Sequence, residues 1–114
     1  MEKTVNQIAD AIERKIEERM TVAIGAMETL EKLNTTPEDF KSACRLFETN
    51  CFISAYLGHI RSVVKKADIK TAENIMRYHA YSQRIKGNLE DGESVSGGQA
   101  AIAHILDEII ADFF

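Results

Sequence analysis

The chain has 114 residues, long enough for one compact domain and too short for two domains with separate cores. Its 18 acidic and 14 basic residues give a net charge of −4, which argues against general nucleic-acid binding. The sequence contains one proline, no tryptophan and no run of alternating β-branched residues, so its composition favours helices over strands. We therefore expect residues 1–114 to form a single all-α domain.

The first predicted helix is amphipathic. Apolar residues recur every three or four positions from Val5 to Leu30, which places them on one face for about seven turns. Residues 20–27 carry no charge. This uncharged patch is either covered by the fold or available to a partner.

The second predicted helix begins at a clear N-terminal signal. Thr36 is a suitable N-cap, Pro37 suits the first turn, and Asp39 completes a capping box. Because the connection from the first helix is short, we expect the first two helices to be antiparallel neighbours in a long hairpin.

The second predicted helix also has two apolar stripes, and a helix with two stripes has something packed on each side. One stripe contains Phe40, Cys44, Phe47, Cys51, Ala55, Gly58 and Ser62. The other contains Leu46, Ile53, Leu57, Ile60 and Val64. We expect the first stripe to receive the first helix, with Ile16 opposite Ala55, and the second to be a dimer interface or a face for a partner protein. The competing arrangement has the second stripe inside one bundle.

Two shorter helices are predicted in the remaining chain. The third begins near Asp68 or Thr71 and runs to about Asn88. Residues 88–98 are rich in turn formers and are predicted to form a loop, in which Ser96 caps a last helix that starts at Gln99. The expected fold is an antiparallel four-helix bundle with a long N-terminal helical hairpin.

The sequence lacks the residue spacings of common catalytic and metal sites. His59, His79 and His104 do not form the pairs seen in zinc proteases or di-iron bundles. Cys44 and Cys51 lie about 10 Å apart along one helix, too far for a disulfide, so we expect free thiols. We therefore predict no enzyme activity, no catalytic residue, no metal and no cofactor. A ligand-binding or metal-binding bundle that uses Cys51 and the three histidines is the third hypothesis.

Positive charge is concentrated in residues 61–86, which hold seven basic and two acidic residues, a local balance of +5. Lys70, Arg77 and Arg84 recur every seven residues and share one helix side with Tyr81. This basic stripe is a solvated face, a contact for an acidic protein such as a second copy, or a site for phosphates and bases. The sequence leaves these three readings open.

The function that we expect from the sequence is non-enzymatic protein binding. An adaptor, chaperone or inhibitor that occupies a partner protein's surface, and that forms a homodimer, accounts for the surplus of apolar helix faces. A nucleic-acid-binding regulator that uses the basic stripe is the alternative. We expect no membrane partner, because no apolar run approaches the length of about 18 residues that a span needs. The N-terminal residues also lack a signal-peptide pattern, which favours a cytoplasmic location.

Overall fold

Four helices make up the protein in a computed structural model, which describes residues 4–32, 35–89 and 93–114, without the side chains of 88–96. The helices are α1 (Val5–Leu30), α2 (Pro37–Val64), α3 (Ile69–Leu89) and α4 (Glu93–Phe113). α1 packs mainly on α2, and α3 packs mainly on α4. The prediction of an all-α helical bundle is confirmed.

The first three helices begin at side-chain caps. In α1, the Thr4 hydroxyl accepts a hydrogen bond from the backbone N–H of Gln7 at 3.3 Å, and the Gln7 side chain accepts one from Thr4 N–H at 2.9 Å. Thr36 caps α2 as predicted, since its hydroxyl accepts from Asp39 N–H at 3.1 Å. Asp68 starts α3 by accepting from Thr71 N–H at 2.7 Å. These caps satisfy N–H groups that have no partner inside the helix.

α4 begins earlier than the sequence predicts. The expectation of a loop over 88–98 and a helix start at Gln99 is wrong, because the helix already includes Glu93; residues 90–92 and the side chain of Ser96 lie outside the described residues. Gly98 is buried, and a Cβ atom there would come within 2.9 Å of Phe52 Cδ1 on α2. The glycine therefore acts as a close-packing residue inside α4 and not as a helix stop.

The two neighbouring glycines of α4 provide a matched test of this packing. Gly97→Ala should raise the free energy of unfolding by roughly 0.5–1 kcal/mol, because a Cβ at this exposed position meets nothing within 4 Å. Gly98→Ala should instead lower it, by up to about 2 kcal/mol, because the methyl group displaces the Phe52 ring. Urea unfolding measures both. An equal gain in the two variants would contradict close packing at Gly98.

The core lies between α3, α4 and one end of the first hairpin. Among the side chains that the structure describes, fourteen buried ones form it: Ile8, Ile12, Ile53, Leu57, Ile60, Val64, Ala72, Met76, Ala80, Ile102, Ile105, Leu106, Ile109 and Ile110. The set includes Ile53, Leu57, Ile60 and Val64, each at most 1% exposed. The prediction that these four belong to a dimer or partner face is therefore wrong. α3 and α4 pack on this side of α2, so the stripe is internal.

The contact between α1 and α2 also differs from the predicted one. Ala55 and Ser62, expected against α1, are exposed, and Met20 and Met27 of the predicted α1 stripe are largely exposed as well. Instead, Ala23 and Ala26 of α1 and Ala43 of α2 are buried. Small residues on both helices allow the two backbones to approach closely.

The two hairpins differ in length, which gives the molecule an elongated shape of 53 × 29 × 20 Å. With 28 residues α2 is about 42 Å long, whereas α3 and α4, with 21 residues each, are about 31 Å. None of the described residues between Ile16 and Ile53 belongs to the core. The end of the first hairpin, residues 20–32 and 35–50, therefore extends past the core as a two-helix segment that we call the arm.

Candidate partner-binding arm

The arm exposes large apolar side chains on both of its helices. The exposed fraction is 40–51% for each of six residues: Met20, Val22, Ile24, Met27, Phe40 and Leu46. The first four belong to the uncharged segment 20–27, which the fold leaves largely open except at Ala23 and Ala26. Leu46 is the one member of the predicted partner face that remains on the surface. Exposed apolar side chains that cluster in one segment mark an interaction site more often than isolated ones do.

One side of the arm contains an open groove of about 530 Å³ between α1 and α2. Its lining consists of Val22, Gly25, Ala26, Thr29, Lys32, Thr35, Asp39, Ser42, Ala43 and Leu46. Small residues form most of the groove, and its charged residues, Lys32 and Asp39, lie near the connection between the two helices. The groove is thus lined by apolar and small polar side chains along its length and by charged ones near the tip.

The groove continues the face that α4 covers nearer the core. Val22 follows Lys15 by seven residues, which places both on one side of α1, and Lys15 Nζ lies 3.4 Å from Glu108 Oε2 on α4. On α2, Leu46 precedes the core residue Ile53 by the same interval. The same side of the hairpin is therefore covered by α4 at one end and open at the other.

The opposite side of the arm is apolar as well, and we call it the back face. By helical spacing it consists of Met20, Ile24 and Met27 on α1 and of Phe40, Cys44 and Phe47 on α2, and it continues past the arm at Cys51. Both cysteines are free thiols and half-buried, as the sequence predicted for a pair that cannot bridge. The arm therefore has an apolar surface on each side.

A polar cluster joins α2 to α3 outside the arm. Tyr56 Oη lies 2.7 Å from His79 Nδ1 and accepts a hydrogen bond from Gln83 Nε2 at 2.9 Å. The Tyr56 hydrogen is then available to His79, which accepts it as a neutral imidazole. The His59 ring lies 6.5 Å from the His79 ring. Burial, with smaller contributions from His59 and Lys86, lowers the pKa of His79.

This cluster predicts a pH dependence of stability. Because the pKa of His79 is lowered in the fold, the unfolded chain binds this proton more readily below about pH 6.5. Stability should therefore fall as pH decreases from 7.5 to 5.5, and His79→Gln, which keeps a hydrogen-bond acceptor for Tyr56, should flatten the dependence. Melting temperatures across this range measure it. The pKa values of Asp68 and Glu108 are lowered from 3.8 and 4.5, so these groups titrate at more acidic pH. An unchanged slope in the variant would contradict the assignment.

The residues of the third hypothesis are not gathered into one site. His104 is exposed and lies 2.7 Å from Glu108 through its Nε2 atom. Across the part of the chain that the structure describes, no group of three or more His, Cys, Asp or Glu side chains is arranged to hold a metal ion. The His79 contacts instead link two helices.

The basic stripe is partly engaged with carboxylates of the same chain. Arg77 Nε lies 2.9 Å from Glu73 Oε2, and Arg84 pairs with Asp107 on α4. Lys70 and Tyr81 are exposed. Two of the three predicted cations thus have partners within the fold, which reduces the charge that the stripe offers to another molecule.

Comparison with models of protein families, with curated proteins and with solved structures finds no match to this chain. None of the helices, as far as their residues are described, combines the length and the apolar character that a membrane span requires.

Proposed function

We propose that this protein is a non-enzymatic interaction protein that uses the arm to occupy a partner protein's surface, as an adaptor, chaperone or inhibitor does. The observation that carries the proposal is the groove, an open channel lined by apolar and small polar residues on the side of the hairpin that α4 covers elsewhere. The half-buried free thiols of Cys44 and Cys51 suit a reducing compartment, so we propose a cytoplasmic location.

The groove favours an amphipathic helix as the partner's contributing element. α4 already packs as a helix on this face of the hairpin nearer the core. The groove lies on the same face of α1 and α2, farther toward the tip, so a second helix can pack there in the same way. A partner helix would place apolar residues at i, i+3 or i+4, and i+7 along Val22, Ala26 and Leu46. Covering one half-exposed Leu or Val there would contribute about 1 kcal/mol.

Affinity capture with a matched pair of variants tests this proposal. The wild-type chain, Leu46→Glu and Val63→Glu serve as baits in an extract of the native host. Leu46 lies in the groove, whereas Val63 is an exposed apolar residue of the same helix outside the arm. A specific partner should be retained by the wild type and by Val63→Glu and lost from Leu46→Glu. Retention by all three baits would contradict a role for the groove, and circular dichroism establishes that the variants fold.

Nucleic-acid binding through the basic stripe is the second candidate. Tyr78 and Tyr81 are exposed by 67% and 63% and offer rings on which bases stack, while the pairing of Arg77 and Arg84 within the fold weighs against it. A gel shift at low salt with single- and double-stranded nucleic acid decides the question. Binding should weaken steeply as salt rises and should be lost when Lys70, Arg77 and Arg84 are all replaced by Glu.

A further inference from the structure

We infer that a second copy of this chain covers the back face of the arm, so that two arms pack together in a twofold-symmetric dimer. Four of the five residues in the α2 stripe that was expected to form a dimer interface are buried in the core and are not available. The back face lies on the other side of the arm from the groove, so the inference is independent of the proposed function. The inference is supported by the surface area of the chain, the composition of the face and the charges at its edges.

The surface area of the isolated chain is larger than its mass predicts. A monomeric protein of 12.8 kDa exposes about 6,300 Å², whereas this chain exposes 7222 Å². The excess of roughly 900 Å² is close to the ~800 Å² that each partner buries in a stable interface of standard size. The arm is the part of the molecule that lacks a second layer.

The back face has the residue composition typical of the centre of a protein–protein interface. Met and Phe are enriched in such centres, and charged residues are depleted. Met20, Met27 and Phe40 are 40–50% exposed, and Ile24 is 51% exposed. No charged side chain interrupts residues 20–27 on α1. Two such faces in contact would exclude water from the apolar side chains of both.

The charges at the edges of the back face fit a second copy in one orientation. By helical spacing, Glu28 lies at the α1 edge and Lys41 at the α2 edge, and both are exposed. Because α1 ends at Leu30 and α2 begins at Pro37, both residues lie near the tip of the antiparallel hairpin, at nearly the same distance along the arm. If the twofold axis runs along the arms, α1 of each copy faces α2 of the other, and Glu28 meets the partner's Lys41 at both edges. The two arms then complete a four-helix bundle.

Two substitutions on neighbouring turns of α1 test the interface. Light scattering on the wild-type chain at micromolar concentration should give twice the chain mass of 12.8 kDa. Ile24→Glu should raise the dimer dissociation constant by roughly a hundredfold or more, because it brings two unpaired carboxylates into the interface. Met27→Glu should do the same. Val22→Glu, on the groove side, should leave the dimer intact, and helix content measured by circular dichroism should remain unchanged in all three.

Each alternative outcome has a distinct meaning. A wild-type mass of 12.8 kDa overturns the inference, whereas the affinity capture described for Leu46 is unaffected by it. A dimer that persists in Ile24→Glu and Met27→Glu but dissociates in Val22→Glu overturns it too, because the second copy would then occupy the groove.

The orientation has its own test by disulfide formation. In a background with Cys44→Ala and Cys51→Ala that light scattering shows to be dimeric, the pair Glu28→Cys and Lys41→Cys should form a covalent dimer on oxidation. These positions lie at opposite edges of one arm, so they do not meet within a chain. Either substitution alone should give far less product. If the dimeric background forms no covalent dimer with this pair, the arrangement in which the twofold axis runs along the arms is overturned.

Discussion

Leu57→Ala is expected to lower the free energy of unfolding by about 2–5 kcal/mol, because the side chain is fully buried and its removal leaves a cavity in the core. A domain of this size has a total stability of about 5–15 kcal/mol, so the loss would be a large part of it. Urea unfolding followed by circular dichroism measures the change.

Leu46→Ala is the matched control, since it removes the same atoms from the same helix. Leu46 is 50% exposed and lies in the arm, so we expect a loss of less than about 1 kcal/mol. Similar losses in the two variants would contradict the division of α2 into a core half and an arm half. A larger loss of unfolding free energy for Leu46→Ala than for Leu57→Ala would mean that the main hydrophobic core lies in the arm.

Ala43→Leu should destabilise the protein by about 1–3 kcal/mol, because the side chain at this position is buried in the arm, where the buried residues of α1 are Ala23 and Ala26. Ala55→Leu should change stability by no more than about 0.5 kcal/mol, since Ala55 is exposed. The sequence alone predicts the reverse for Ala55, which it places against Ile16. Melting temperatures of the two variants distinguish these assignments, and a large drop only for Ala55→Leu would support the one made from sequence.

Local signals in the sequence predicted the starts of α2 and α3. Thr36 and Asp68 cap these helices, and capping depends only on residues within one turn, because the side-chain oxygen accepts a hydrogen bond from a nearby backbone N–H. Local signals failed at Gly98, which the sequence places in a loop before the last helix. The contact that keeps this glycine inside α4 comes from Phe52, far away in the chain, and no local pattern reports it.

The faces of α2 illustrate a second limit of sequence reasoning. Periodicity shows that Cys51 and Ile53 lie on different apolar sides of the helix. It cannot show which side receives α1, because that choice depends on where α3 and α4 pack. The α2–α3 cluster has the same non-local origin, since Tyr56 and Gln83 are 27 positions apart. The arm had a local signal in the uncharged segment 20–27, but its exposure depends on the shorter second hairpin.

The difference in length between the two hairpins divides the backbone into regions that should open independently. A peptide N–H near Leu57 exchanges with solvent only when much of the core opens, whereas one near Val22 is protected by a single neighbouring helix. Amide hydrogens of the arm should therefore exchange well before those of the other end of the same two helices. Any molecule that covers the arm would slow this exchange locally, which makes deuterium uptake a direct reporter of occupancy.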